Sequence, residues 1–86
     1  MCRMDAGRIL ISFELPHSSG SLYDMLSHFI YNDLNMTRIE SRPISGHKWE
    51  FRFYVEFEGA INDAGVVNAL SGIGDEAQNL KILGNY

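Results

Sequence analysis

The sequence predicts an α+β sandwich in which two helices cover one face of a four-stranded antiparallel sheet, in the order βαββαβ. Two segments, 9–15 and 49–57, alternate apolar and polar residues with the period of a β-strand. Two others, 22–30 and 61–73, repeat apolar residues with the period of an α-helix. Because each alternating strand has only one apolar side, both helices must cover the same face of the sheet.

The first strand is followed by the first helix. The apolar strand positions are Ile9, Ile11, Phe13 and Leu15. Pro16 ends this strand, and residues 17–21 have the composition of a loop. The apolar helix positions are Leu22, Met25, Leu26, Phe29 and Ile30. Ser19 or Ser21 could cap the N-terminus of this helix, and residues 32–33 end it.

The second strand is predicted to lie at an edge of the sheet. Residues 36–42 look extended, but the apolar parity breaks between Met36 and Ile39, which predicts a bulge or a late strand start. Pro43 follows and has no N–H group, and within sheets proline is found on edge strands. Residues 44–47 then form a predicted turn.

The third strand gives the clearest pattern in the chain. Its apolar positions are Trp49, Phe51, Phe53, Val55 and Phe57. Gly59 ends it, and the second helix opens at residues 61–63, weakened by three glycines. The predicted buried positions of this helix are Val66, Val67, Leu70 and Ile73. Leu80 and Ile82 give the last strand, with a final turn at Gly84. The complete order is ferredoxin-like.

Composition narrows the class of protein. We expect one domain at residues 8–86 after a flexible segment at residues 1–7, since 86 residues suffice for a single small core. The formal charge of -4 disfavours nucleic acid and anionic membrane surfaces as partners. Cys2 is the only cysteine, so no disulfide forms within the chain. Without a signal peptide or a membrane-length apolar run, the predicted location is cytoplasmic.

The sequence contains no pattern that predicts a catalytic or metal-binding site. The histidines have no metal-ligand spacing, and there is no Cys-x-x-Cys pair. No Ser-His-Asp, Cys-His or glycine-rich phosphate signature is present. We therefore predict no catalytic residue, no metal and no cofactor, against the alternative of a small enzyme on the same fold.

Four motifs carry a resemblance to a known family. In chain order they are Gly20–Tyr23, Asn35–Pro43, Phe57–Gly59 and Leu80–Tyr86. They are similar to motifs of the ACT domains attached to prephenate dehydratases, with Ser21 in place of the usual alanine of the first loop. Regulatory domains of aromatic amino-acid hydroxylases share the Glu-Ser-Arg-Pro block and remain an alternative. The last two motifs favour the dehydratase group.

The resemblance implies a regulatory role. In that family the ACT domain follows a catalytic prephenate dehydratase region, sometimes with a chorismate mutase region ahead of it. The domains pair as homodimers or larger assemblies and bind L-phenylalanine at their interface, which gives feedback inhibition of phenylalanine synthesis. The resemblance therefore implies three partners: L-phenylalanine, a second copy and the catalytic region of the parent.

The chemical groups of an amino-acid ligand indicate the first group of candidate binding residues. A glycine-containing loop that enters a helix offers backbone N–H groups and the positive end of the helix dipole. We assign the ligand carboxylate to the N–H groups around Gly20, Ser21 and Leu22. Leu22, Ile39 and Met36 are the expected walls for the phenyl ring. The alternative is that Gly20 only permits a turn and Leu22 only packs.

The predicted edge strand supplies the other site residues. They are Glu40, Ser41, Arg42 and Pro43. An exposed edge invites pairing with a copy of itself, which would place this strand near the partner's first loop. Ser41 could bond the ligand or the partner backbone, and Arg42 could hold Glu40 or a partner carbonyl. A solvated surface charge is the alternative for Arg42.

Two further readings of function stay open. RNA-recognition modules share the βαββαβ order and carry aromatic residues on the middle strands, as at residues 49–53 here. The negative charge and the interleaved glutamates disfavour that reading. An ACT domain could also bind another amino acid or serve only in dimerisation.

Overall fold

The computed structural model describes residues 7–16, 20–46 and 50–86. The elements are β1 (Arg8–Pro16), α1 (Ser21–Tyr31), β2 (Met36–Pro43), β3 (Glu50–Glu58), α2 (Ala64–Glu76) and β4 (Gln78–Asn85). They form one sheet of order β2-β3-β1-β4, and each neighbouring pair is antiparallel. The predicted ferredoxin-like sandwich is therefore confirmed.

The core lies between the sheet and the two helices. β1 and β3 pair without interruption from Arg8↔Glu58 to Pro16↔Glu50, so their odd-numbered residues share one face. The buried apolar residues on that face are Ile9, Ile11, Phe13, Leu15, Phe53, Val55 and Phe57. The helices add Met25, Phe29, Val66, Ala69 and Ile73. Phe29 meets Phe57 edge-on, with ring centroids 5.0 Å apart.

The predicted apolar faces of the helices were too wide. Ile30 is 71% exposed and Val67 is 53% exposed, whereas both were expected to be buried. Successive helical residues are about 100° apart, so each of these residues lies one step off its buried stripe. Ala69 takes the buried position on α2 that the prediction gave to Val67.

The helix starts also differ from the prediction. Gly20 is the N-cap of α1, so Ser21 is the first helical residue and not the cap; Ser19 lies outside the described residues. α2 begins only at Ala64, with Asp63 as its extended N-cap. The predicted turn at Gly84 is wrong as well, because β4 continues to Asn85. Two register shifts in the β1–β4 pairing explain why β4 shows no clear alternation.

Two of the three glycines of α2 lie where this helix approaches α1 and its C-cap. A Cβ on Gly72 would come 2.4 Å from His28 Cε1, and a Cβ on Gly65 would come 3.2 Å from the Asn32 carbonyl oxygen. His28 in turn reaches Glu76 at 3.3 Å. Glycine at these two positions lowers the helix propensity of α2, but it allows α2 to pack closely against α1.

β2 is an edge strand, as Pro43 predicted, since it pairs with β3 on one side only. The predicted bulge is present as a register shift between Met36 and Arg38. From Thr37 to Pro43 every residue is exposed, so no helix covers either face of this strand. The expected strand residue Trp49 and residues 1–6 of the expected flexible segment fall outside the described ranges.

Candidate functional site

The start of α1 is open above Gly20. This residue has φ -98° and ψ -13°, which any amino acid can adopt, and its carbonyl accepts the Asp24 N–H at 2.9 Å. A Cβ built on Gly20 would meet no atom of the described residues within 4 Å. Neither the backbone nor packing against the described residues therefore requires glycine here, and the space above it is open to a ligand.

A cleft of about 270 Å³ lies on the α2 side of this helix start. It is lined by Leu15, Pro16, Ser21, Asp24, Met25 and Glu76. The carboxylates of Asp24 and Glu76 border it, so it suits an ammonium group better than a carboxylate. An anion at the α1 N-terminus is therefore expected on the other side of the helix, toward β2.

The predicted residues of β2 divide between the two faces of the sheet. Ile39 and Ser41 pair with Val55 and Phe53 and so face the helix side. Glu40 pairs with Tyr54 and Arg42 pairs with Arg52, so both face the open side of the sheet. Because Glu40 and Arg42 lie on the other face, they do not line the same cavity as Ser41 in one chain.

The length of β2 separates the remaining site residues. Pro43 pairs with Phe51, beside the end of β1 that leads to Gly20. Met36 pairs with Phe57 at the other end of the strand, about 23 Å away at ~3.3 Å per residue. Met36 packs against the core, so one chain does not bring it to Gly20.

The open face of the sheet carries a groove of about 350 Å³. It is lined by Leu10, Arg38, Glu40, Arg42 and Tyr54. Arg38, and not Arg42, holds Glu40, with Nη2 at 3.0 Å from Oε1. The Arg42 guanidinium lies over the Tyr54 ring, 5.8 Å from its centroid. Sequence reasoning missed Arg38 and Tyr54, although the strand alternation places both on this face.

A polar cluster on the same face joins β2 and the residue that follows β4 to β3. The Glu56 carboxylate accepts hydrogen bonds from the Tyr86 hydroxyl and from Thr37 Oγ1, the latter at 2.8 Å. Arg8 lies 4.0 Å from it. The hydrogen bond from Tyr86, followed by that from Thr37, lowers the pKa of Glu56, and the same carboxylate raises the pKa of Tyr86.

An exposed apolar flank runs beside β2. Tyr23 and Ile30 are 73% and 71% exposed, and they lie on the side of α1 opposite His28, which faces α2. Ile39 is exposed on the same side of the sheet. We call Tyr23, Ile30 and Ile39 the β2 flank. Apolar residues exposed on the side of an uncovered edge strand are typical of an interaction surface.

The arrangement does not fit the RNA-binding alternative. Phe53 and Phe57 lie under the helices, and Phe51 is half-buried on the same side, so these rings cannot stack on bases. In the described part of the chain no group of three or more histidine, cysteine or acidic residues could hold a metal ion. Among the described helices, none has both the length and the apolar character needed to span a bilayer.

Comparison with known proteins gives close relatives. A bifunctional chorismate mutase/prephenate dehydratase of Stutzerimonas stutzeri is 37% identical over 82 residues, covering 95% of this chain and 22% of that protein. The crystal structure of a prephenate dehydratase from Arthrobacter aurescens in complex with L-Phe matches 100% of this chain and 28% of that one, at 29% identity and a TM-score of 0.87. A quorum-quenching acylase, GqqA, matches 92% of this chain and 41% of that one, at 25% identity and a TM-score of 0.86. No protein-family model matches the chain.

The fold, the uncovered edge strand and these relatives define the class: the chain is an ACT regulatory domain. It spans 22% of the length of its curated relative and corresponds to a regulatory portion of a larger protein. It belongs to the ACT domains of the prephenate dehydratases.

Proposed function

We propose that this chain senses L-phenylalanine for a larger prephenate dehydratase and binds the ligand between two copies of itself. Occupation of the site provides feedback inhibition of phenylalanine biosynthesis in the cytoplasm. One observation carries the proposal: the Arthrobacter aurescens structure that matches the whole chain is a complex with L-Phe.

The helix start supports the position of the ligand carboxylate. First-turn N–H groups of an α-helix have no intrahelical acceptor, and the helix dipole favours an anion there. Gly20 has no side chain to cap them, and its open surface lets a carboxylate approach the backbone.

The exposed edge supports the second copy. Ile39 lies four residues from Pro43 along β2, about 13 Å at ~3.3 Å per residue, so its own chain does not place it at the Gly20 end. A copy that runs antiparallel along β2 brings its own Ile39 toward that end. The β2 flank then becomes buried, and the phenyl ring gains an apolar wall.

Titration of the 86-residue chain with L-Phe, L-Tyr and L-Trp tests the proposal. Burial of a phenyl side chain contributes roughly 2–3 kcal/mol, and with the polar contacts this gives an expected Kd for L-Phe in the micromolar range. Calorimetry measures the affinity, and sedimentation measures whether L-Phe shifts the chain toward dimers. Absence of heat with all three amino acids contradicts the proposal.

A further inference from the structure

The basic side chains of the described residues are confined to the open face of the sheet. Strand pairing places every described lysine and arginine on that face, and the two helices carry none. These basic residues are Arg8, Arg38, Arg42, Arg52 and Lys81. The helices instead carry Asp24, Asp75 and Glu76. Side chains that can bind an anion are therefore found on the open face.

One arginine on this face has no acidic partner. The other three described arginines each have a carboxylate within 4.0 Å; the pairs are Arg8 with Glu56, Arg38 with Glu40, and Arg52 with Glu14. Within residues 7–16, 20–46 and 50–86, no carboxylate lies at ion-pair distance from Arg42, whose guanidinium lies over the Tyr54 ring. A guanidinium carries its N–H donors at its edge, and an aromatic ring takes up only its face. Arg42 therefore has donors available for an anion.

The groove on the open face carries an excess of positive charge. Its volume is about 350 Å³, and its lining contains the two guanidinium groups of Arg38 and Arg42 against the single carboxylate of Glu40. The whole chain, in contrast, has a formal charge of -4. A monoanion is favoured in such a lining, whereas a zwitterionic amino acid would bring an ammonium group toward the excess positive charge.

The two ends of the groove differ in character. Arg42 pairs with Arg52 and Leu10 pairs with Glu56, so the two ends lie four residues apart along β3, about 13 Å at ~3.3 Å per residue. Tyr54 lies midway between them, and both Tyr54 and Leu10 are half-buried. The groove therefore offers charged donors at one end and apolar surface from its middle to the other end.

A further carboxylate beside the groove is held away from it. Glu56 lies between Arg38 and Leu10 across the sheet, yet it does not line the groove. Its carboxylate accepts hydrogen bonds from the Tyr86 hydroxyl and from Thr37 Oγ1. These two donors keep the carboxylate outside the groove, so its negative charge is not presented to an anion bound there.

We infer that this groove is a second ligand site, for a small carboxylate that carries an aromatic or other flat apolar group and no ammonium group. Arg42 donates hydrogen bonds to the carboxylate, and the apolar group of the ligand packs against Tyr54 and Leu10. The site goes beyond the proposed function, because it uses neither Gly20 nor the first turn of α1. It gives the domain a small-molecule input on the face opposite to the helices.

A nuclear magnetic resonance titration of the isotope-labelled 86-residue chain tests this site. The probe is hydrocinnamate, which has the phenyl ring and carboxylate of L-Phe but no ammonium group. L-Phe is present in excess throughout, so that the proposed site at the helix start is occupied. We expect saturable shifts of the Leu10 and Tyr54 amides, with a Kd on the order of 1 mM. Propionate lacks the ring and phenethyl alcohol lacks the carboxylate, and each should bind at least about tenfold more weakly.

Two variants that each remove one positive charge from the open face separate a site from general attraction. Arg42→Gln should weaken hydrocinnamate binding at least about tenfold, since it removes a hydrogen bond to a charged group. Lys81 is exposed on β4 and does not line the groove, so Lys81→Gln should change the Kd less than about twofold at physiological salt.

The remaining outcomes overturn the second site. Equal weakening by both variants shows attraction by general charge, and shifts at Gly20 and Ser21 in place of Leu10 and Tyr54 move the probe to the helix start. Shifts that do not saturate by about 10 mM probe show that no site exists in the groove. L-Phe binding is measured separately by calorimetry, so a failure of the groove leaves the proposed function standing, and the reverse also holds.

Discussion

Replacing Gly20 by valine should weaken ligand binding and leave the stability of the fold almost unchanged. The backbone angles of Gly20 suit any residue, and a Cβ there meets nothing within 4 Å. Loss of glycine at an N-cap costs about 1 kcal/mol, and reduced freedom of the unfolded chain returns about 0.4–1 kcal/mol. The free energy of unfolding should therefore change by less than about 1 kcal/mol.

Binding should respond far more strongly to Gly20→Val. The valine methyl groups occupy the space through which the ligand carboxylate approaches the backbone. Each hydrogen bond to a charged group contributes about 1.5–3 kcal/mol, so loss of one weakens L-Phe binding about 10- to 150-fold. Calorimetry gives the Kd, and urea unfolding gives the stability of the same preparation.

Two other glycines provide controls for Gly20→Val. A Cβ on Gly7 also meets no atom of residues 7–16, 20–46 and 50–86, so Gly7→Val should leave both binding and stability unchanged. Gly59 has φ +150°, and a Cβ there would lie 2.8 Å from Val66 Cγ2, so Gly59→Val should destabilise the fold by about 1–3 kcal/mol or more. An unchanged Kd in a folded Gly20→Val variant refutes the assignment of the carboxylate to this helix start.

Two further predictions address the core and the open face. Phe29→Ala should cost about 3–5 kcal/mol in urea unfolding, a large part of the ~4–13 kcal/mol expected for this length, and a loss under 1 kcal/mol would contradict its place in the core. Since Glu56 has a lowered pKa in the folded state, its stabilisation is present above its ordinary pKa of 4.5 and is lost as pH falls through the folded value. The stability advantage of the wild type over Tyr86→Phe should therefore shrink below about pH 4.5 in unfolding scans, and an advantage that is the same at all pH values excludes the Glu56 contact.

The parts of the fold that the sequence predicted well are those set by local geometry. β1 and β3 alternate strictly because both have one face under the helices, and this fixes their register. Pro43 identified the edge strand because a missing N–H is tolerated only where no ladder bond is needed. The break in parity after Met36 predicted the bulge because an inserted residue shifts the alternation of side chains by one position.

The wrong predictions concern features of the structure that the local sequence pattern does not determine. Ile30 and Val67 adjoin buried positions, and only the placement of each helix on the sheet shows which border residue stays exposed. β4 is irregular because its pairing with β1 shifts twice, so its alternation is lost. The contact between Tyr86 and Glu56 joins residues 30 positions apart, which no local pattern could reveal.

The position of the proposed site explains how a small domain can respond to a metabolite. A ligand that fills a gap between two chains stabilises their pairing by the same free energy with which pairing raises its affinity. Such coupling needs an element whose interactions are not completed within the single chain. β2 is such an element, because both of its faces are exposed and its outer edge pairs with no other described strand. A pocket enclosed in the core between Phe29 and Phe57 would bind a ligand without changing how two chains meet. In the proposed arrangement the site lies at the edge strand, so ligand binding and dimerisation would be one coupled equilibrium, and an attached catalytic region would respond to that equilibrium.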